Sequence, residues 1–136
     1  MGSFSNYAEA KILDHIVGKT SFTMPTAYIA LCTADPTEAG TGASITEVAD
    51  ANAYARVTTA GSDWDAAAAG ATANAAAIEF TEASGSWGTV THFAILDSAT
   101  HGAGNMLAYG ALTASKAVTD GDTVIFAIGD LSATLD

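Results

Sequence analysis

After residue 18 the chain divides into short runs of β-branched, aromatic and small apolar residues, each followed by a turn signal. The runs cover residues 26–33, 54–59, 75–80, 89–96, 106–112, 116–118, 123–128 and 130–135. Short runs bounded by Gly, Pro, Asn and Asp are typical of β-strands. Seven or eight of them at close spacing predict a mainly β fold, as a sandwich, a jelly roll or a barrel. No repeat or linker is visible, so we expect residues 1–136 to form one domain.

Three segments make this prediction more specific. Residues 26–33 are apolar throughout, which indicates a strand buried on both faces. Asp120-Gly121 lies between two apolar runs and predicts a tight hairpin. The alanine-rich stretch 65–77 has high helix propensity, but Gly70, Thr72 and Asn74 interrupt it. We favour a loop and a strand of small side chains there, with a helix as the alternative.

Residues 1–18 are predicted to form an N-terminal arm and a short helix. Asn6 is the expected N-cap, with Glu9 three residues later as in a capping box. Apolar residues then recur at helical spacing, at Ala8, Ile12, Leu13, Ile16 and Val17. Gly18 is the expected stop. Because a helix of about three turns is marginal in water, we expect this stripe to dock on the rest of the protein or on a partner.

Charge and composition exclude several classes of protein. The chain has 15 acidic and 4 basic residues, a formal charge of −11, yet 49% of its residues are hydrophobic. The apolar content argues against a disordered acidic tail. The scattered cations argue against a nucleic-acid partner, which requires clustered Lys and Arg. No apolar stretch approaches the length of a membrane span and no signal peptide is visible, so we expect synthesis in a host cytoplasm and no membrane partner.

No pattern of catalytic or metal-binding residues emerges. His15, His92 and His101 are not at ligand spacing, and the single Cys32 lies in an apolar run, where a buried and unreactive thiol is expected. The acidic pairs at 63/65 and 120/122 are explained by turns, with a weak divalent-cation site as the alternative. We therefore predict no catalytic residue, no cofactor and no metal site, and an enzyme is the least favoured class.

Aromatic side chains provide the other candidates. They have two interpretations, covering the ends of the β core or binding a partner, as exposed aromatic anchors do. Together with the helix stripe and the glycine-rich loop 97–105, they give a predicted set of partner-contact residues: Phe4, Tyr7, Ile12, Ile16, Trp64, Trp87 and His101.

Four segments carry a resemblance to a known family. These are 4–15, 28–37, 87–97 (Trp-Gly-Thr-Val-Thr-His-Phe-Ala-Ile-Leu-Asp) and 107–112 (Leu-Ala-Tyr-Gly-Ala-Leu). In this order they resemble a family of small tailed-phage virion proteins, often labelled tail-fibre-like. The resemblance implies a jelly-roll-like antiparallel sandwich of about eight strands, similar to capsid cement or decoration proteins, and brings no catalytic residues. The chain shows no fibrous repeat or shaft.

The resemblance implies a non-enzymatic cement protein on the outer surface of the capsid. Its expected partners are the major capsid protein and further copies of itself, as a homodimer or homotrimer at capsid symmetry positions. An acidic protein suits that surface because packaged DNA repels it. The alternative is a tail-associated or fibre-like protein that places Trp64, Trp87 and loop 97–105 against host glycans.

Overall fold

The fold is a mainly β, jelly-roll-like sandwich with one helix at its N-terminal end. The structure is a computed structural model that describes residues 2–135. Over these residues the elements are β1 (Gly2–Phe4), α1 (Asn6–Ile16), β2 (Tyr28–Cys32), β3 (Val57–Thr58), β4 (Ala71–Ala73), β5 (Ile78–Glu79), β6 (Gly88–Leu96), β7 (Met106–Val118), β8 (Ile125–Phe126) and β9 (Ser132–Thr134). A curled seven-stranded sheet has the order β3-β2-β6-β7-β1-β9-β4, and β5 pairs with β8. The predicted fold class is confirmed.

Strands β2, β6 and β7 form the centre of the large sheet. Ile29 pairs with Ile95 and Leu31 with Phe93 in an antiparallel register. Side chains alternate across a strand, so Ile29 and Leu31 enter the main core while Ala30 and Cys32 enter a second, smaller cluster on the other face. The prediction that this run is buried on both faces is confirmed.

The N-terminal residues are a strand of the sheet and not a free arm. Gly2–Phe4 lies between β7 and β9, antiparallel to the first and parallel to the second. The sheet is therefore mixed, whereas a purely antiparallel one was expected. A side chain at Gly2 would meet the Ser132 carbonyl oxygen at 2.8 Å and the Phe93 ring at 3.0 Å, so only glycine fits there. No sequence pattern predicted this three-residue strand.

The prediction of a hairpin at Asp120-Gly121 is wrong. The turn exists, with Gly121 at a positive φ of 85° and the Thr119 amide donating to the Asp122 carboxylate at 2.9 Å. The strand that follows, however, pairs with β5 and not with β7. Phe126 packs edge-to-face on the Phe80 and Phe93 rings, both at 6.3 Å, and this burial directs the chain to the second sheet. Runs 106–112 and 116–118 are one irregular strand, β7.

The alanine-rich segment is turn and strand, as the favoured interpretation had it. β4 pairs with β9, and Trp64 forms a bridge with Asn74. The buried Asn74 amide group donates to the carbonyls of Ala76 and Ala127 and accepts from the Leu131 amide. Small side chains suit this close approach of backbones, and the strand pairing outweighs the helix propensity of alanine.

Helix α1 begins one residue earlier than predicted. Ser5 is the N-cap, and its hydroxyl oxygen accepts from the Ala8 amide at 3.2 Å. The predicted pair of Asn6 and Glu9 therefore does not form a capping box. Ser5 is held in this position because its amide donates to the Leu107 carbonyl at 3.0 Å and its hydroxyl donates to the Met106 carbonyl.

Candidate protein-contact surface

The apolar stripe of α1 is mostly exposed, so the domain itself covers little of the stripe that was expected to dock. Only Ala8 is buried, and Ile12 is half-buried. Leu13, Ile16 and Val17 are 62%, 69% and 74% exposed. We call these last three residues the helix surface. Exposed apolar residues scattered singly are ordinary, whereas three adjacent ones on a helix make a candidate contact site.

Backbone hydrogen bonds hold the first turn of the helix against the rest of the domain. The Ser5 amide is bonded to β7, and the Asn6 amide donates to the Glu38 carbonyl at 3.0 Å. At the other end, Gly18 adopts a positive φ of 75° and the Lys19 amide caps the Asp14 carbonyl at 2.8 Å. This C-terminal motif stops the helix without attaching it to the sheet. The helix surface lies at this C-terminal end of the helix.

The helical segment is electrically balanced within a strongly acidic chain. Residues 6–20 contain two acids, Glu9 and Asp14, and two of the four basic residues, Lys11 and Lys19. The formal charge of −11 therefore belongs to the rest of the chain. Since a net field of one sign repels like-charged partners, another acidic protein meets less repulsion at this balanced helix than at the acidic parts of the chain.

A cleft of about 370 Å³ lies beside the helix and contains the predicted contact residue Tyr7. The Tyr7 ring meets Phe22 edge-to-face at 6.5 Å, and the Lys11 ammonium lies 5.6 Å from the Tyr7 ring centre. The Phe22 amide donates to Nδ1 of His15 at 3.1 Å, which folds the loop after the helix back onto it. The lining is completed by Ser21, Thr23, Met24, Pro25 and Asp97.

Of the two tryptophans, Trp64 is half-buried beside a cleft and Trp87 is buried. Trp64 is half-buried, donates from Nε1 to the Thr59 hydroxyl at 3.0 Å, and lines a cleft of about 380 Å³ that also contains Met24 and Pro25. Trp87 is only 5% exposed, and its Nε1 donates to the Asn52 carbonyl at 2.9 Å.

Burial removes Trp87 from the accessible contact residues. Its ring packs edge-to-face on Tyr54 at 5.3 Å within the core, which matches the interpretation that aromatics fill the β domain. Phe4 also packs against the core and is half-buried. Of the seven predicted contact residues, Ile16 is the one whose large apolar side chain is mainly exposed.

His101 is an exposed residue whose ring lies beside a buried ion pair that the sequence did not reveal. Its Nε2 lies 2.8 Å from the Val48 carbonyl and 3.9 Å from the Glu47 carboxylate. Glu47 and Arg56 form a two-pronged ion pair at 2.8 and 2.7 Å, with both side chains almost fully buried. Sequence alternation in 54–59 placed Arg56 on one strand face but gave no partner for it.

The ion pair ties two loops to the core. The Arg56 guanidinium also donates to the carbonyls of Ser98 and Ala103, at 2.7 and 2.9 Å, and so fixes loop 97–105. The Tyr54 hydroxyl donates to Glu47 at 2.8 Å. All three nitrogens of this guanidinium donate to protein groups, as expected of an arrangement with a structural role.

Burial also sets the chemistry of the thiol and phenol near this ion pair. It raises the pKa of Cys32 to about 12, with the Glu47 carboxylate contributing in the same direction. The pKa of Tyr54 is raised for the same two reasons. A thiol that stays protonated is a poor nucleophile, so Cys32 is the inert core residue that was expected.

Within residues 2–135, no three His, Cys, Asp or Glu side chains are grouped so that they could hold a metal ion. The predicted acidic turns have other uses: the Asp63 carboxylate accepts from the Ala60 amide at 2.8 Å, and Asp122 caps Thr119. In the same part of the chain, no helix combines the length and the apolar character of a membrane span.

The structure is that of a mainly β protein that leaves three large apolar side chains exposed at the end of its N-terminal helix. Comparison with known protein families shows the family to which the chain belongs. Residues 3–134 match the family described as Podophage GP4 fiber I protein gp80, and the chain belongs to that family of phage structural proteins. No curated protein matches the chain.

Proposed function

We propose that this protein is a non-enzymatic subunit of a phage tail-fibre apparatus, joined to the assembly by protein–protein contacts. The observation that carries the proposal is the match to a fibre protein family over residues 3–134. The helix surface supports it, because an assembly subunit needs accessible apolar area outside its own core. The fibre role thus takes precedence over the capsid role that the sequence resemblance favoured.

Capsid cement is the second candidate, with the major capsid protein as partner. The jelly-roll-like sandwich favours it, since this is the fold implied by the resemblance to cement proteins. The formal charge of −11 is compatible with either position, because shell exterior and tail both lie outside the packaged DNA.

Within the fibre role, we assign host-surface binding to the two clefts described above, of which one lies beside the helix and the other at Trp64. They share Met24 and Pro25 and present the aromatic rings of Tyr7 and Trp64. Aromatic faces next to polar groups are suited to stacking on sugar rings. Binding of wild-type protein to a glycan array, with loss in Trp64→Ala and no change in Ile128→Ala, is the expected result. An array without any bound glycan contradicts this assignment.

The decisive experiment locates the protein in an intact virion. A short tag inserted at the exposed Asp120-Gly121 turn keeps the strands intact and reports position by electron microscopy. We expect label at the tail only. Label distributed over the shell contradicts the fibre role and favours cement.

A further inference from the structure

We propose that the outer edge of β7 binds an extended segment of another protein, which adds to the large sheet as a strand. We call the backbone edge of residues 111–118, together with the cleft beside it, the β7 slot. The inference rests on the proposed function in one respect, that this chain is joined to an assembly by protein–protein contacts. It goes further by naming a contact site away from the helix surface and the conformation of its occupant.

Strand β7 is longer than the strand that covers its outer edge. β1 pairs with residues 108–110 only, whereas β7 continues to Val118. Within residues 2–135, no strand pairs with 111–118 on that edge, and residues 113–117 are exposed. An unpaired edge presents backbone amides and carbonyls to which another extended chain can hydrogen-bond.

The opposite edge of β7 is also incompletely matched in this region. Ala111 and Lys116 pair with two residues of β6 that are separated only by Thr91. Residues 112–115 of β7 therefore have a single residue opposite them, as in a large β-bulge. Since β6 cannot pair with all of their backbone groups, this stretch has hydrogen-bonding capacity to offer a further strand.

The slot continues the line of β1. β1 lies antiparallel to β7 and parallel to β9, with Gly2 opposite both Gly110 and Ala133. A strand that extends β1 past Gly2 therefore runs between residues 111–118 and residues 124–132, which lead into β9. Because β1 is hydrogen-bonded on both sides, these two flanks begin about two strand spacings apart, roughly 9.5 Å. The space between them has the width of one strand.

A cleft of about 390 Å³ opens between these flanks. Its lining includes the core side chains Val90, Phe93 and Phe126, which favour apolar side chains in the occupant. Its ionisable lining residues, Lys116 and Asp130, have opposite charges, and the Asp130 carboxylate accepts a hydrogen bond within its own turn. Because the whole chain has a formal charge of −11, a neutral or basic segment is attracted to the slot and an acidic one is repelled.

Gly2 shows which residues of an added strand face the cleft. A Cβ at Gly2 would lie 3.0 Å from the Phe93 ring, so this position faces the same core side chains that line the cleft. Side chains alternate along a strand. In a segment that continues β1 ahead of Met1, the residue directly before Met1 and every second residue before it therefore face the cleft. A shift by one residue turns the apolar side chains away from it.

A free peptide tests the pairing. The probe is a peptide of about eight residues that alternates Val and Thr and carries a lysine at each end, long enough to run along residues 111–118. It is expected to bind the full-length protein and to slow amide hydrogen exchange in residues 112–117 about tenfold. Two control peptides are N-methylated at every Val or at every Thr, and each has lost the amide donors of one edge. At least one of them is expected to bind about tenfold more weakly.

A pair of matched variants locates the binding site. Ala114 is exposed and lines the cleft, so Ala114→Trp fills the slot without altering a core residue. Ala67→Trp, at another exposed alanine outside the cleft, is the control. We expect the first to weaken peptide binding about tenfold and the second to leave it unchanged. Binding that is equal for both variants, or equal for all three peptides, overturns the proposal.

Attachment of the strand to the chain makes the test independent of peptide affinity. A Val/Thr segment placed directly before Met1, with Val at the positions that face the cleft, is expected to raise the unfolding temperature by about 4 °C. The same segment with Val and Thr exchanged is expected to give a smaller rise. Ala114→Trp should abolish the rise, and Ala67→Trp should preserve it. Equal rises for the two segments overturn the proposal.

The remaining outcomes separate the slot from the fibre role. A protein that responds to neither peptide nor attached segment overturns the slot, and the tag at the tail then leaves the fibre role standing. Strand binding in the slot with the tag on the shell does the reverse. Self-association that Ala114→Trp abolishes makes a second copy the occupant and overturns the assignment to another protein.

Discussion

Strand β2 is an unbroken apolar run and helix α1 carries an apolar stripe among charged residues, and the domain buries the first while it leaves most of the second exposed. Residues 29–32 of β2 are fully buried, with side chains entering two clusters on opposite faces of the sheet. The helix contributes one buried side chain, Ala8, and exposes three large ones. The difference shows that one apolar segment of this chain holds the fold together, while the other leaves large apolar side chains accessible.

The largest expected difference between the two regions is in thiol chemistry. A pKa of about 12 leaves Cys32 almost entirely protonated at pH 8, so labelling of the native protein should be about a thousandfold slower than that of an exposed cysteine. Leu13→Cys in a Cys32→Ala background supplies the exposed reference on the helix. Labelling rates followed by mass spectrometry test this, and equal rates contradict the contrast.

The next largest expected effect is on stability and concerns the buried ion pair between Glu47 and Arg56. Arg56→Ala leaves the Glu47 carboxylate buried without a cation and removes the donors to Ser98 and Ala103. We expect a loss of about 3–5 kcal/mol in the free energy of unfolding, measured by urea denaturation. Replacing both partners, as Glu47→Leu with Arg56→Met, should recover much of it. A loss below about 1 kcal/mol for Arg56→Ala contradicts the burial of this pair.

The same substitution made in both regions sharpens the comparison. Leu31→Ala removes a fully buried side chain and should cost about 2–5 kcal/mol of unfolding free energy. Leu13→Ala removes an exposed one and should change stability by less than about 0.5 kcal/mol. Incorporation into virions should respond differently from stability: Leu13→Ala should reduce incorporation although the protein remains folded. Comparable destabilisation by both variants would mean that the helix surface is part of the core.

Sequence patterns predicted the parts of the fold that local chemistry determines. The runs at 26–33 and 89–96 contain strands β2 and β6, because continuous apolar runs leave few other structures. Non-local pairing was not predictable in the same way. Strand β1 exists only because residues 2–4 fill the space between β7 and β9, and β8 joins β5 through the aromatic contacts of Phe126.

The sequence predicted which residues form the helix surface, but not that the domain leaves them exposed. Periodicity identified Leu13, Ile16 and Val17 as one stripe, and only the three-dimensional structure shows that the domain leaves them uncovered. Trp87 shows the converse, since a turn-like sequence context, Ser-Trp-Gly, gave no sign that its ring enters the core. The Glu47–Arg56 pair joins residues nine apart through a loop, a distance for which sequence has no periodic signal.

The smallest expected effect lies at the exposed turn before β8, far from both regions. Hydrogen bonds from the Thr119 amide and hydroxyl hold the pKa of Asp122 below its ordinary value of 3.8. Because the folded-state pKa is the lower one, the stabilisation is present at neutral pH and is lost as the pH falls below about 4 through the folded-state value. Asp122→Ala should therefore lower the unfolding temperature slightly at pH 7 and make little difference at pH 2. Asp120→Ala, in the same turn, is the matched control. If the difference in unfolding temperature between wild type and Asp122→Ala is the same at pH 2 as at pH 7, the Asp122 carboxylate is not its cause.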